Sequence, residues 1–537
     1  MRAMTGRLDG ALWLKLAGVL GVIAFADWLF FSSEQSGGAI GFVGLAIVAA
    51  LALTRPAVRQ DRRALLALAL AALAATAFVI DPSPLAFLLF WLAIGVAAVM
   101  PGTAAFDDGW RWFQRLLVHG FKSLFGPLID ALRLNRVRHR RPVQSAGLRL
   151  AAKTLVLPLA GSAVILALFA MANPVIEGWL DGLSLPSMDE ETFVRLIVAG
   201  FLAWLTWGVL RPRPPRFLLG TIDGRGDKAI PGVSLASVLL SLVMFNALFA
   251  MQNLMDSAFL WGGVKLPGSM TLAQYAHRGA YPLVVTALLA AAFVLVALRP
   301  GSQTAAHPWV RRLVMLWIGQ NLFLVGSAML RTWDYVKSYD LTVLRIAALL
   351  WMVLVAAGLV LVLWRMLREK SGAWLINANL ATSGTLLFAV CFVDLGAIAA
   401  NWNVRHAREI DGTGAALDLC YLNELGESAL VPLARLELQQ GNSRLGRDAA
   451  ALRSRLLQRM EADRDMGEWS LRANRRIAEA RALLGPKADQ PVDDAEPCYR
   501  GYPVPVPAEP ATAPAAAASA TPITVPAAPK LTGPKEQ

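Results

Sequence analysis

Eleven stretches of this chain are apolar for about the length needed to cross a bilayer. No other feature narrows the fold as much. A membrane-crossing helix needs about 20 mainly apolar residues, and the stretches cover residues 11–31, 38–54, 64–80, 84–100, 150–172, 192–210, 232–251, 279–298, 309–330, 341–364 and 375–400. They predict an all-α polytopic helical membrane bundle of about eleven transmembrane helices, with 38–54 and 64–80 at the lower limit of length. Composition agrees. Of 537 residues, 56% are hydrophobic and 17% charged, and mean hydropathy is +0.50, whereas soluble domains are nearer a quarter charged. The first stretch is too long for a signal-peptide core and lacks a small-residue cleavage pattern after it, so it reads as a retained span.

The net charge of +13 does not point to nucleic acid, because Lys and Arg concentrate in alternate short loops. Arg55, Arg59, Arg62 and Arg63 fill the second loop, and nine basic residues from Arg111 to Arg149 fill the fourth. Arg211, Arg213, Arg216, Arg225 and Lys228 fill the sixth, Arg299, Arg311 and Arg312 the eighth, and Arg365, Arg368 and Lys370 the tenth. The odd loops are sparse or acidic, as at Glu177, Asp181, Asp189, Glu190 and Glu191. By the positive-inside rule the N-terminus is cytoplasmic. Eleven spans then place the chain after Ala400 outside, in the periplasm if the membrane is a bacterial inner membrane.

The chain divides into a four-helix N-terminal membrane module (1–105), a basic connector (106–149), a seven-helix membrane core (150–400), a small helical periplasmic domain (401–486) and a disordered Pro/Ala-rich tail (487–537). In the connector, aromatic and aliphatic residues of 110–129 alternate with Arg and Lys at helical spacing. That suits a helix lying in the membrane interface, and equally a connector packed on the bundle. Beyond Ala400, helical periodicity marks 415–425, 428–440, 445–463 and 470–484, with Gly426, Gly441 and Gly485 at helix stops. Cys420 and Cys498 fall in an oxidising compartment, where pairing is open. Cys391 reads as a buried thiol.

Polar residues gather at the outer helix ends. Asn246, Asn253 and Asp256 share one face of the seventh helix. The loop that follows carries a tight apolar turn at 259–266, a capping-box start at Thr271, and then Tyr275, His277 and Arg278. The next outer loop holds Arg331, Asp334, Tyr335, Lys337, Tyr339 and Asp340, with Arg345 one turn into the tenth helix. The eleventh ends with Asp394, Asn401, Asn403, Arg405 and His406, and Asp394, Asn401 and Arg405 share a face if that helix continues. Such residues are costly at a membrane boundary and are default candidates for function. Two readings stand. Arg278 with Asp256, Arg331 with Asp334 and Arg405 with Asp394 neutralise one another and tie helix ends, or the set forms a ligand or reaction site. Gln320, Asn321, Asn377 and Asn379 suit hydrogen bonds between helices. GxxxxGK[ST], HExxH, paired CxxC and GxSxG are absent. No cofactor is implied, and no metal, since His277 and His406 lack ligand spacing.

At NLMDSAFLWGG, MTLAQYAHRGAYPLVVTALLAA, RTWDYVKSYDLTVLRIAALLWM and NWNVRH followed by LDLCYL, the chain resembles a bacterial polytopic membrane family of unknown function, the DUF 4173 and DUF 4153 group. The resemblance covers about 231–433. It implies an integral protein of the bacterial envelope and brings no catalytic residues. The expected partners are membrane lipids and an envelope protein or the cell wall. Three functions fit: an envelope assembly or sensory scaffold, a lipid or solute transporter, and an outer-leaflet transferase. The transferase would use Asp256 or His277 as base and Arg278, Arg331 and Arg405 for phosphate. The scaffold is favoured because an external domain and tail hang from the bundle.

Overall fold

In the computed structural model, the described residues are 2–103, 106–127, 129–130, 162, 189–215, 217–220, 234–260, 285, 289, 307–412, 414–490 and 492. The expected spans 150–172 and 279–298 lie outside them apart from isolated positions. So do the 259–266 turn beyond Leu260, the Thr271 cap, most of the connector's arginines, Cys498 and the tail beyond 492.

The membrane helices are α1 (Arg2–Asp27, continued by a π turn Trp28–Ser32), α2 (Ala39–Thr54), α3 (Arg62–Ile80) and α4 (Pro84–Val99). The connector forms α5 (Gly109–Leu124). Then come α6 (Glu190–Leu210), α7 (Leu235–Leu260), α8 (Pro308–Tyr339), α9 (Val343–Leu367) and α10 (Gly372–Phe392). Among the described residues eight helices are long and apolar enough to cross a membrane, and Ala39–Thr54 is apolar but shorter. Helix starts follow local chemistry. Asp61, Ser83, Asp108, Thr342 and Ser371 each accept a backbone N–H of the first turn, which satisfies donors that lipid cannot.

Two apolar clusters hold the bundle. The first joins α1–α4, the end of α6 and Cys391 of α10. Its seams are built of small residues: Ala64, Ala71, Ala74 and Ala77 of α3 are fully buried. Gly41 of α2 comes so close to α3 that a Cβ would stand 2.6 Å from the Ala75 carbonyl oxygen. Close backbone approach replaces the hydrophobic effect where the solvent is itself apolar. The second cluster joins α7–α10 around Val314, Trp317, Ile318 and Leu359. Across it the Asn246 amide donates to the Leu313 carbonyl (3.1 Å) and accepts from Gln320 (3.1 Å), while Asn253 donates to the Gln320 carbonyl (3.2 Å). These contacts advance along both helices together, so α7 and α8 run parallel. Asn321 donates instead to Trp317 of its own helix (2.8 Å), and Asn379 to Leu375 of its own (2.9 Å).

The last span is not one helix to Ala400. Helix α10 stops at Phe392, and Asp394 accepts the Ala397 N–H (2.9 Å) to start α11 (Leu395–Arg405). A short polar cap inside an apolar run ends one helix and begins another. Asp394 therefore caps the helix that carries Asn401 and Arg405, and that helix is not continuous with α10.

Helix α11 belongs to a C-terminal helical unit with a core of its own. Ala400 and Val404 share a core with Leu417, Leu422, Leu430, Leu433, Leu452, Leu456 and Ile477, from α12 (Leu419–Glu424), α13 (Leu430–Gln440), α14 (Arg444–Asp465) and α15 (Leu471–Leu484). Arg453 is fully buried within this unit, paired with Glu437 (3.0 Å) and donating to the Ala488 carbonyl (2.8 Å). A two-residue parallel bridge joins β1 (Ser36–Gly37), after α1, to β2 (Glu468–Trp469), between α14 and α15. Ser36 N–H donates to the Gly467 carbonyl (2.8 Å) and Gly38 N–H to that of Trp469 (2.5 Å), and Phe42 stacks on Trp469.

Gly38 packs between two backbones, and a Cβ there would stand 2.8 Å from both the Trp469 and the Val79 carbonyl oxygens. Gly38→Val should therefore open the bridge at a cost of about 1–3 kcal/mol. Faster exchange of the backbone amides at positions 36 and 38, with new protease cleavage near Glu468, is the expected outcome. Unchanged exchange would mean the bridge carries no load.

Candidate functional site

The helix ends sort onto two faces. On one, the Arg55 guanidinium donates to the Ala98 carbonyl (2.7 Å), Gly109 N–H to Asn377 (2.8 Å) and Arg213 N–H to His119 (3.4 Å). The Arg-bearing loops after α2, α6 and α9 lie on this side. The opposite face carries the ends of α1, α3, α8 and α10, and the C-terminal helical unit sits on it. Arg195 at the start of α6 pairs there with Asp27 (3.4 Å).

Three polar assemblies mark the second face. The first is Asp256 of α7, fully buried and paired with buried Arg331 of α8 (3.1 Å), with Gln252 donating to the other carboxylate oxygen (3.0 Å). Asp334 instead pairs with Lys337 at the exposed surface (3.4 Å). Thus Arg331 does not take Asp334. A full turn of α8 separates the buried from the exposed polar group.

The second assembly is the tight turn joining α8 to α9. Asp340 has φ 68° and ψ 165°, a region that non-glycine residues occupy only when the surroundings hold them there. Arg345 is one of those restraints: its guanidinium donates to the Tyr339 and Asp340 carbonyls and lies over the Tyr335 ring, 4.2 Å from its centre. Asn403 of α11 is another. It accepts the Leu341 N–H (2.7 Å) and donates to the Leu341 carbonyl (3.0 Å), as a neighbouring strand would. The Tyr421 hydroxyl accepts the Val343 N–H (2.8 Å). His406 stacks on Trp402, which meets Trp333 edge-on. Burial, then the Asp418 carboxylate, pushes the Asp340 carboxyl up to about 6 against the partial opposition of Arg345.

The third assembly crosses from the bundle to the soluble unit. Arg476 of α15 pairs with Asp394 and with Glu427 (2.9 Å), and Ser428 donates to Asp394 (2.9 Å). Burial pushes the Asp394 carboxyl up, but Arg476, the Ala397 N–H and Ser428 outweigh it and hold it below the usual carboxylate range. One turn earlier, Arg472 pairs with Asp81 at the end of α3 and donates to the Phe392 carbonyl (2.9 Å). Arg435 reaches Asn401 (3.3 Å).

Of the residues singled out by sequence, Asp340, Arg345, Tyr335 and Asn403 share the second assembly. Asn253 and the Asp256–Arg331 pair line the α7–α8 seam, Asp394 joins the third assembly, and Arg405 and His406 are exposed. Tyr275, His277 and Arg278 lie outside the described residues. The expected partner of Asp394 was Arg405, but Asp394 takes Arg476. Arg472, Arg476, Glu427, Ser428 and Tyr421 escaped the sequence reading, because a soluble helix gives no reason to single out its arginines. The i, i+4 spacing of Arg472 and Arg476 was the only available sign. Among the described residues no three His, Cys, Asp or Glu side chains come together to hold a metal ion.

Asp340 makes a pH prediction. Its folded pKa lies above its unfolded value, so the native state holds the extra proton between about pH 4 and 6 and stability falls as pH rises through that window. Asp340→Asn keeps a side chain tolerant of positive φ and removes the charge. It should raise the unfolding midpoint by a few degrees at pH 7.5 and leave it unchanged near pH 3.5. An equal shift at both values would refute the assignment.

The model of a protein family described as a domain of unknown function (DUF4153) matches residues 65–436, well over half of the chain. No curated protein and no solved structure matches it.

Proposed function

This chain belongs to the DUF4153 family, and from that premise we propose that it is an envelope scaffold of the bacterial inner membrane. In this reading the N-terminus is cytoplasmic, the helical unit from Leu395 onward is periplasmic, and the unit passes load or signal from an envelope partner into the bundle. The arrangement of charge supports the orientation: the Arg-rich helix ends share the face opposite the soluble unit, as the positive-inside rule requires of a cytoplasmic side.

One observation carries the scaffold reading. Separate bundle ends are each gripped by the same small unit: Ser36–Gly38 through β2, Asp81 and Phe392 through Arg472, Leu341 and Val343 through Asn403 and Tyr421. A tethered domain needs one covalent link. A unit attached at this many points is coupled to the positions of the helices. The transferase reading needs Asp256 open to substrate, and its full burial against Arg331 weighs against that.

The double variant Arg472→Gln/Arg476→Gln leaves Asp81, Asp394 and Glu427 without their guanidiniums, and because these pairs are only half-buried the loss is about 1–3 kcal/mol. The unit should loosen while the bundle stays in the membrane. We expect wild-type abundance, rapid protease cleavage near residue 393 in spheroplasts, loss of envelope proteins that co-purify with the wild type, and the phenotype of a deletion strain. Full complementation by a variant shown to be loosened would end the scaffold reading. A C-terminal alkaline phosphatase fusion should be active, and an inactive fusion alongside a fluorescent cytoplasmic reporter would reverse the orientation.

A further inference from the structure

The Arg-rich face contains a feature that the scaffold does not use. Helix α5 carries Trp110, Phe113, Leu117, Phe121 and Leu124 on one exposed stripe, at the spacing of a single helix face. Its other side is buried through Trp112 and His119. Trp110 stacks on Phe113 within the stripe. A helix with one face on the bundle and a second apolar face outward lies in the membrane interface, at the depth where headgroups meet acyl chains.

Between α5, α4 and α6 lies a crevice of about 370 Å³, within the range of small-molecule sites. Leu88, Trp91, Leu116 and Trp204 give it apolar walls, and Gly95, Gly120 and Gly208 keep it open. A Cβ on Gly120 would meet nothing within 4 Å. The polar end of the crevice is His119 with Ser123 (3.2 Å). The Arg213 N–H donates to His119 Nδ1, which fixes the neutral Nε2–H tautomer. Burial first, then the charges of Arg213 and Arg55, pushes this imidazole down to about 4, so it stays neutral at physiological pH.

Around that end the charge is one-sided. Lys15 lies within the electrostatic reach of Arg211 and Arg55, with Asp130 as the acidic group acting on it. Asp130 is buried and already engaged: Arg213 pairs with it, Arg211 lies 3.4 Å away and the Trp207 indole donates to it (3.0 Å). Among these groups Lys15 and Arg55 have no carboxylate of their own, and Arg211 is a third exposed. Apolar walls at acyl depth ending in excess positive charge at headgroup depth are complementary to one class of molecule.

We propose that this crevice binds an anionic phospholipid, with an acyl chain between Trp91 and Trp204 and the phosphate held by Arg55, Arg211 and Lys15. A neutral lipid would fill the walls and leave the cations unmatched. A soluble anion would meet the cations and gain nothing from the walls. The site lies on the face opposite the soluble unit and is independent of the clamp at Arg472 and Arg476.

The test uses the full-length protein in nanodiscs doped with a photoactivatable lipid bearing a diazirine on its acyl chain, with either a phosphatidylglycerol or a phosphatidylcholine headgroup. Labelled peptides are mapped by mass spectrometry. Peptides of α4, α5 and α6 should be labelled roughly tenfold more by phosphatidylglycerol, and the preference should shrink as salt is raised. Gly120→Leu fills the crevice while improving helix propensity, and it should abolish labelling of the crevice residues Trp91, Leu116 and Trp204 by both lipids, leaving that of the outward stripe of α5. Arg55→Gln/Arg211→Gln should remove the preference for phosphatidylglycerol and leave the phosphatidylcholine signal. Inorganic phosphate should not compete, whereas competition by it would overturn the lipid assignment. Equal labelling by the two lipids, or labelling unaffected by Gly120→Leu in a protein that elutes as wild type, would also overturn it. The Arg472→Gln/Arg476→Gln variant should label normally, which separates this site from the scaffold.

Discussion

Arg472 and Arg476, one turn apart on α15, gather the end of α3, the end of α10 and the start of α11 onto a single helix. Each of those ends presents a group that lipid cannot satisfy. Phe392 ends a helix with an unpaired carbonyl, Asp81 is a carboxylate just past the last turn of α3, and Asp394 sits where an apolar helix stops. Guanidinium carries several donors in one rigid plane, so one Arg answers a carboxylate and a carbonyl at once. The membrane thus creates the demand and the soluble unit meets it. The same logic explains the parallel bridge at Ser36–Gly37 and the grip of Asn403 on Leu341. In both places a loop leaving lipid has backbone groups that need partners.

What the sequence disclosed follows from this division. Lipid imposes a length and a polarity on every crossing element, so the spans in the described residues appear close to where the apolar runs lie. The alternation of Arg-rich loops is likewise a one-dimensional signal, and the structure puts those helix ends on a common face. The soluble helices were legible from periodicity and from Gly stops. The break at Val393 was not, because Asp394 reads equally as a charged residue inside a span and as a helix cap. Only the carboxylate's contact with the Ala397 N–H decides between the two.

The pairings were the least legible part. Asp256 and Arg331 are 75 residues apart, and Asp394 and Arg476 are 82 apart. Spacing along a chain carries no information at that range. Local candidates such as Asp334 for Arg331 looked better on paper and lost to partners that share a buried environment. In water an exposed i, i+3 pair is worth little. At a membrane boundary a guanidinium reaches for the carboxylate that is also removed from water, since leaving either one alone there is the costlier outcome.

The two faces therefore solve the charge problem in opposite ways. On the face that carries the C-terminal helical unit, Asp81, Asp394 and Glu427 are matched by guanidiniums from that unit, and Asp256 by Arg331 of the bundle. Asp340 is half-buried with part of its charge cost unrelieved, held in a strained turn by Arg345 and Asn403. A strained residue whose carboxyl resists ionisation persists only because the soluble unit and α9 both hold it. The turn is thus the element most sensitive to how firmly that unit is seated. On the opposite face, Lys15, Arg55 and Arg211 outnumber Asp130, the buried carboxylate among them, which already pairs with Arg213 and Arg211. A face whose charges are closed internally favours protein contacts made by shape. A face with an open positive excess calls for a counter-charge from outside the chain, whereas the C-terminal helical unit supplies it from within on the other side.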